Sequence, residues 1–295
     1  MRRHRVIVLV AALIVFAILA LFLWPNDTNE PRHNGKRLSE WIILYRNTDP
    51  GPEHARAEAA ISAIGTNAIP LLLRWIQEEP SPTRRKIRNA LPNWARDNQI
   101  VFSLLNARLS QAAAAAPQAF RALGTNAALA VPHLLNISQT NSATAGAMAV
   151  IALGEMGDCG LAATLTIVTN GISRHRLFAM KWIGQNHSLY TDPATLIPAL
   201  LSCLAQTNWV VVQTAAETLG ALRLQPNIVV PRLTDALTNS RPSARVAAIM
   251  ALGEYGSNAA PALNALSNCL NDSHPGTTNT AARAIEKILT DLRAN

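Results

Sequence analysis

The sequence predicts an all-α solenoid, an array of stacked helix pairs, preceded by one N-terminal transmembrane helix. The first observation is a recurring helix–turn–helix pattern. It is clearest at residues 248–263, where an apolar run ends in Leu-Gly and a polar turn leads to Pro-Ala-Leu. The second is an unbroken apolar run over residues 6–24. The third is the composition, since 15% charged and 5% aromatic residues suit close helix packing and argue against disorder.

The N-terminal run is long enough to cross a bilayer and contains no charge, glycine or proline. Three arginines precede it and acidic residues follow, so the positive-inside rule keeps the N-terminus in the cytoplasm and places the array outside. A cleaved signal peptide is the main alternative and a buried core helix the other. The run is longer than a signal-peptide core, and residues 21–25 offer no small-residue cleavage site. We therefore predict a basic cytoplasmic segment (1–5), an uncleaved signal anchor (6–24), a linker (25–34) and a repeat array (35–295).

The net charge of +8 is local rather than spread along the array. Residues 84–121 carry seven basic residues against one acidic residue, whereas residues 122–295 carry ten against nine. A nucleic-acid-binding array would need a basic surface that extends over its repeats. The distribution therefore argues against nucleic acid as the partner.

The first folded helix is predicted just after Gly35. Ser39 is its predicted N-cap, and Glu40 favours the positive end of the helix. An apolar stripe within residues 41–45 would cover the first repeat, and the Pro- and Gly-rich residues 49–52 would end the helix.

The first recognisable helix pair is predicted at residues 54–64 and 67–77. Gly65 fits the position after a helix where positive φ is favoured, and Asn67 could cap the second helix, with Pro70 in its first turn. A degenerate pair without the Leu-Gly turn is predicted at 83–98 and 99–116.

From Gly124 onward, glycines suggest a regular phase with intervals of 30, 30, 36 and 33 residues, through Gly154, Gly184, Gly220 and Gly253. Residues 185–192 are then interpreted as a loop insertion. Gly253 is predicted to need positive φ or a close helix approach. A final helix over 278–292 is predicted to close the array with a polar outer face.

These residues resemble the HEAT-repeat family, specifically the short bacterial HEAT-like kind. The matching signature is A-x-x-A-L-G-x-x-G-x-x-A-x-P-A-L, which residues 248–263 satisfy nearly in full, and the similarity extends over about 53–292. Residues 35–45 also resemble the G-K-x-L-S-x-W opening of some membrane-anchored bacterial HEAT proteins. The resemblance implies a right-handed solenoid whose second helices bind other proteins, here on the periplasmic side of a bacterial inner membrane.

Catalytic and metal-binding motifs are missing from the sequence. None of the seven histidines forms H-E-x-x-H, and the chain has no G-x-S-x-G, Walker loop or G-x-G-x-x-G. His175 is the most suggestive histidine, yet it lies between two arginines and is interpreted as a surface residue. Cys159, Cys203 and Cys269 form no C-x-x-C and are interpreted as small core residues. We expect no enzyme activity, no cofactor, no metal and no small-molecule substrate.

The sequence thus favours a membrane-anchored, non-catalytic scaffold whose partner is another protein. The alternative is a nucleic-acid-binding HEAT-like protein, which would require a cytoplasmic array. The degenerate pair carries most of the excess positive charge, so we predict it as the docking region. Its candidate residues are Arg84, Arg85, Lys86, Arg88 and Trp94, although a solvated face for the basic residues and a core role for Trp94 stay open.

Overall fold

The computed structural model describes residues 29–77, 108–140 and 142–294. The chain divides into two compact units, Met1–Asn126 and Ala127–Asn295. Within the described residues both units are helical, apart from one two-stranded hairpin. The predicted anchor (6–24) and the predicted docking residues lie outside the described residues.

Unit 1 opens with the hairpin and continues with four described helices. The elements are β1 (Arg32–His33), β2 (Lys36–Arg37), α1 (Leu38–Asn47), α2 (Pro52–Ile64), α3 (Ile69–Gln77) and α4 (Arg108–Leu123), with a 3-10 segment at Gly65–Ala68 between α2 and α3. Helix α4 packs against α1, α2 and α3. Trp41, Ile61, Leu72, Trp75 and Phe120 are almost completely buried in this core.

The hairpin corrects the predicted linker, because its described part is folded. Asn34 and Gly35 both have positive φ, as a two-residue hairpin turn requires. The Glu30 carboxylate is buried and accepts the Ser39 backbone N–H in the first turn of α1. Ser39 is therefore not the N-cap. The helix starts one residue earlier, and Glu40 accepts the backbone N–H of Arg37 at 3.2 Å.

The G-K-x-L-S-x-W residues form one local structure. Gly35 turns the hairpin, and the Trp41 indole N–H donates to the carbonyl of His33 at 3.1 Å. The Lys36 ammonium lies 4.8 Å from the centre of the Trp41 ring, within range of a cation–π interaction. Leu38 is fully buried behind it. The motif thus packs the start of the folded chain onto α1.

Two predicted boundaries in unit 1 are wrong. Residues 65–68 form a 3-10 turn, so Asn67 lies within the turn and α3 starts at Ile69. Helix α4 runs without a break through the predicted boundary at Ala116, and Pro117 is buried inside it. The predicted positive φ at Gly65 is confirmed, at 60°.

One described stretch, Pro52–Gln77, is long and apolar enough to span a membrane. It consists of α2, the 3-10 turn and α3, and 56% of its most apolar window is buried inside the fold. Burial of this kind is expected for a core helix pair.

Unit 2 consists of alternating first and second helices. The second helices are α5 (Val131–Ser138), α7 (Asp158–Asn170), α9 (Ile197–Leu204), α11 (Pro226–Asp235) and α13 (Leu263–Asn268). The first helices are α6 (Ala143–Glu155), α8 (Ser173–Asn186), α10 (Trp209–Leu222), α12 (Pro242–Glu254) and α14 (Pro275–Ala294). Short 3-10 segments lie at Gly124–Ala130, His187–Leu189, Pro193–Leu196, Ala236–Thr238, Gly256–Ala262 and Cys269–Asn271.

Each first helix of unit 2 packs on the next first helix along the chain, from α6 to α14. The second helices follow in the same order, with α7 against α5 and α9, and α11 against α9. Each element therefore buries its apolar side on its sequence neighbours, which is the packing of a helical repeat array. This confirms the predicted all-α solenoid class in its HEAT- or armadillo-like form. Its handedness stays a prediction.

The repeat period is 33 residues, which corrects the intervals of 30 and 36. One buried residue of each second helix recurs at this spacing and is fully buried: Leu134, Ile167, Leu200, Leu233 and Leu266. The backbone turns with positive φ follow the same spacing, at Gly124, Gly157, Arg223 and Gly256. Residues 185–192 are therefore not an insertion.

The irregular intervals arose because two kinds of glycine were treated as one. In Leu-Gly-x-x-Gly, the second glycine makes the turn, as Gly157 and Gly256 do with φ of 55° and 56°. The first glycine lies inside the first helix and faces the next one. A Cβ on Gly220 would be 2.8 Å from the Ala251 backbone, and one on Gly253 would be 3.4 Å from the Ala284 Cβ. Gly253 is thus a helix-contact glycine, and Gly256 holds the positive φ.

The last helix, α14, is longer than predicted, and its buried side differs from the predicted one. Ala281, Ala284 and Ile288 are buried, but Leu289 and Leu292 are 38% and 42% exposed. The predicted polar outer face therefore includes an apolar strip.

Candidate protein-binding surface

The exposed sides of α5, α7, α9, α11 and α13 form a surface that we call the second-helix face. Because the buried residue of each helix recurs every 33 residues, the exposed residues recur in the same register. One exposed or half-exposed position in each helix carries a hydroxyl, amide or carboxylate: Asn136, Thr169, Ser202, Asp235 and Asn268. We call these five residues the polar column.

Two members of the polar column already bond their own helix. Ser202 Oγ donates to the Ala199 carbonyl at 2.7 Å, and Thr169 Oγ1 donates to the Leu165 carbonyl at 3.0 Å. Each hydroxyl still has acceptor lone pairs, and the amides of asparagine offer both donors and an acceptor. The column can therefore exchange hydrogen bonds with a partner.

The second-helix face carries little charge. Helices α9 and α13 contain no charged residue, and α11 contains one of each sign. In α11, Arg232 and Asp235 lie 3.9 Å apart, with side chains 67% and 75% exposed. An exposed pair of this kind contributes little stability. Its two charges also largely compensate each other at the surface.

A groove of about 450 Å³ lies between the C-terminal ends of α9 and α11. Leu201, Leu204, Ala205 and Ala236 supply its apolar lining. Polar residues complete it: Ser202, Arg232, Asp235, Thr238 and Asn239. An apolar depression edged by a few polar groups is the usual form of a binding site.

The first helices of unit 2 are joined by charged groups instead. Glu254 at the end of α12 accepts from Arg223, which follows α10, and from Lys287 of α14 at 2.8 Å. The hydrogen bond from Lys287 lowers the pKa of Glu254. One carboxylate thus connects three successive repeats.

A second ion pair connects α12 to the segment before α14. Arg245 donates to both carboxylate oxygens of Asp272, at 2.7 and 2.8 Å, and its other amino group donates to the Asn239 carbonyl. The side chains are only 13% and 12% exposed. The guanidinium lowers the pKa of Asp272, which also accepts the backbone N–H of His274 at the start of α14.

Two buried tyrosines occur near the ends of first helices. The Tyr255 hydroxyl lies 2.8 Å from the Leu224 carbonyl and 3.2 Å from that of Leu219, so it reaches the C-terminal end of α10. Burial raises the pKa of Tyr255 and raises the pKa of Tyr190 to about 12. Both stay neutral at physiological pH and act as packing and hydrogen-bonding groups.

His175 is fully buried, which contradicts its interpretation as a surface residue. Its Nδ1 lies 2.6 Å from the Ser138 carbonyl at the end of α5, so Nδ1 carries the proton. The ring lies against Gly146 of α6, where a Cβ would be 1.9 Å from Cε1. His175 therefore joins α5, α6 and α8, and the adjacent arginines in the sequence concealed this role.

The cysteines agree with the core interpretation at two of three positions. Cys203 and Cys269 are buried, whereas Cys159 is exposed, and all three are free thiols. Within the described ranges, no group of three or more His, Cys, Asp or Glu side chains could hold a metal ion.

The five predicted docking residues, Arg84, Arg85, Lys86, Arg88 and Trp94, all fall in the part of the chain that the structure does not describe. The residues of the groove were missed at the sequence level. The 33-residue register could have found the polar column, since its members follow the buried leucines by two residues. The irregular glycine intervals hid that register.

No protein-family model matches the chain, and no curated protein matches it. Among solved structures, the phycocyanin lyase complex of CpcE and CpcF from Nostoc is similar over 53% of this chain and 98% of that chain, with 21% identity and a TM-score of 0.44. A designed armadillo repeat protein is similar over 75% and 99%, with 11% identity and a TM-score of 0.40. Human deoxyhypusine hydroxylase is similar over 86% and 95%, with 15% identity and a TM-score of 0.37.

Proposed function

We propose that this protein is a membrane-anchored, non-catalytic scaffold that binds another protein through the second-helix face of unit 2. The observation that carries the proposal is the repeated exposed register of that face, with the groove between α9 and α11. The anchor is the apolar run 6–24, and its preceding arginines place the array on the extracytoplasmic side of a bacterial inner membrane.

The arrangement of side chains supports binding rather than catalysis. Catalysis needs a nucleophile, base or acid that converge on one reacting atom. The polar column instead distributes single hydroxyl and amide groups over successive helices. Such a row can contact an elongated partner at many points, as repeat proteins do.

The charge of the face supports a protein partner over nucleic acid, the alternative function. Neutralising phosphates requires several lysine or arginine residues on one surface. On the described second helices, Arg232 is the only arginine and no lysine occurs. Its charge is also compensated by Asp235.

A photoreactive residue at Ser202 tests the binding face in living cells. We expect it to crosslink one defined protein, whereas the same residue at Glu217, on an exposed side of first helix α10, should not. Equal labelling from both positions would contradict the proposal. A phosphatase fused after Asn295 tests the topology, and activity is expected only outside the cytoplasm.

A further inference from the structure

We infer that the second-helix face takes an extended polypeptide segment that carries few charges and an aliphatic side chain about every third residue. The inference rests on the proposed function and specifies the chemistry of its partner. Three observations support it: the polar column, the near absence of charge, and the apolar groove.

The spacing of the helices favours an extended partner. Packed helices lie about 8–10 Å apart. A polyproline-II segment turns once in three residues and advances about 9 Å per turn. The same side of such a segment would therefore meet the polar column at every second helix. A helical partner repeats every ~5.4 Å and would match this spacing less well.

The hydrogen-bonding chemistry also fits an extended backbone. A polyproline-II segment has no internal hydrogen bonds, so its carbonyls and N–H groups remain available. Asn136 and Asn268 can donate to carbonyls without adding charge, and the Asp235 carboxylate can accept an N–H. The column thus matches backbone groups rather than charged side chains.

The groove supplies the apolar contact. Its volume of about 450 Å³ and its lining by Leu201, Leu204, Ala205 and Ala236 suit an aliphatic side chain together with the adjoining backbone. A charged side chain there would lose its hydration with only the compensated pair of Arg232 and Asp235 nearby. The groove therefore selects an aliphatic residue.

The test uses the full chain in detergent micelles and a labelled synthetic peptide with leucine at every third position, separated by proline and serine. We expect fluorescence anisotropy to show binding whose affinity changes little with salt, because few charges are involved. A peptide with glutamate in place of leucine should bind about tenfold more weakly. Absence of binding, or stronger binding of the glutamate peptide, would overturn the inference.

Matched variants locate the site. Ala205 is exposed and lines the groove, so Ala205→Glu should weaken peptide binding about tenfold, whereas Ala282→Glu on an exposed side of α14 should leave it unchanged. An unchanged affinity in Ala205→Glu would count against the groove. If that variant does not fold, a photoreactive residue at Ser202 must label the leucine peptide. Capture of a natural partner from Ser202 without peptide binding would leave the scaffold standing and remove only this inference.

Discussion

The first helices and the second helices of unit 2 share one period but use their side chains differently. The first helices are joined by charged groups, such as the ion pair of Arg245 with Asp272 and the contacts of Glu254 with two neighbouring repeats. They also approach closely at glycines such as Gly220. The second helices bury one residue per period and leave their other side almost uncharged and exposed.

The comparison separates stability from recognition within a single repeat. In a helical array, each repeat is stabilised mainly by its interfaces with neighbours. Substitutions in the first-helix contacts should therefore destabilise the protein, whereas exposed second-helix positions should tolerate change and affect binding alone. The predictions below test this division by comparing matched positions.

The largest effect is expected at the buried ion pair. Arg245→Met should lower the free energy of unfolding by about 3 kcal/mol, because it leaves the carboxylate of Asp272 with little compensation in a mostly buried site. The matched variant Arg232→Met, in the exposed pair of the second-helix face, should change it by less than about 0.5 kcal/mol. Chemical denaturation measures both, and equal losses would contradict the division.

The pH dependence of this ion pair has a defined sign. The pKa of Asp272 is lowered in the folded state, so its contribution is present above the ordinary value of 3.8 and is lost as pH falls through the folded-state pKa. The stability difference between wild type and Arg245→Met should stay constant from neutral pH to about 4 and shrink below it. A difference that grows in acid would contradict this linkage.

The next effect compares two helix-contact glycines. A Cβ on Gly154 would lie 2.3 Å from the Trp182 ring, so Gly154→Ala should cost about 2 kcal/mol. A Cβ on Gly184 would meet nothing closer than 3.6 Å, so Gly184→Ala should stabilise its helix by about 0.5–1 kcal/mol. Thermal unfolding with opposite signs for the two variants supports the contact, and a loss in both would contradict it.

These glycines also show how far sequence analysis could go. The apolar periodicity predicted the helix pairs and their order, because burial on sequence neighbours depends mainly on which residues are apolar. It could not tell a glycine that turns the chain from one that admits a neighbouring helix. Gly253 and Gly256 illustrate this, since both follow apolar residues and only the second has positive φ.

The candidate site was harder to predict than the fold. A binding surface depends on which side of each helix is left exposed, and that side becomes visible only when the period is known without error. His175 shows the same limit in the core, because flanking arginines suggested solvent while the ring is held by the Ser138 carbonyl and Gly146. Contacts between residues far apart in sequence left no local pattern.

A smaller and local effect is expected at the hairpin of unit 1. A chain that starts at Asn34 loses the Glu30 carboxylate and the His33 carbonyl, which bond Ser39 and Trp41. Hydrogen exchange in α1 should accelerate, with a cost of about 1 kcal/mol, the usual value for a lost helix cap. A chain that starts at Asn26 is the control. Equal exchange in both would mean that the hairpin does not stabilise α1.

The smallest effect is expected on the second-helix face itself. Ser202 and Asn268 are exposed, and Ser202 bonds only its own helix. Replacing both by alanine should change the free energy of unfolding by less than about 0.5 kcal/mol, as for other surface substitutions. The same double variant should lower the affinity for the leucine peptide, because it removes hydrogen-bonding groups of the polar column. Thr166→Ala, at an exposed position of α7 outside that column, is the matched control. A loss of stability comparable to that of Arg245→Met would show that the second-helix face belongs to the structural framework.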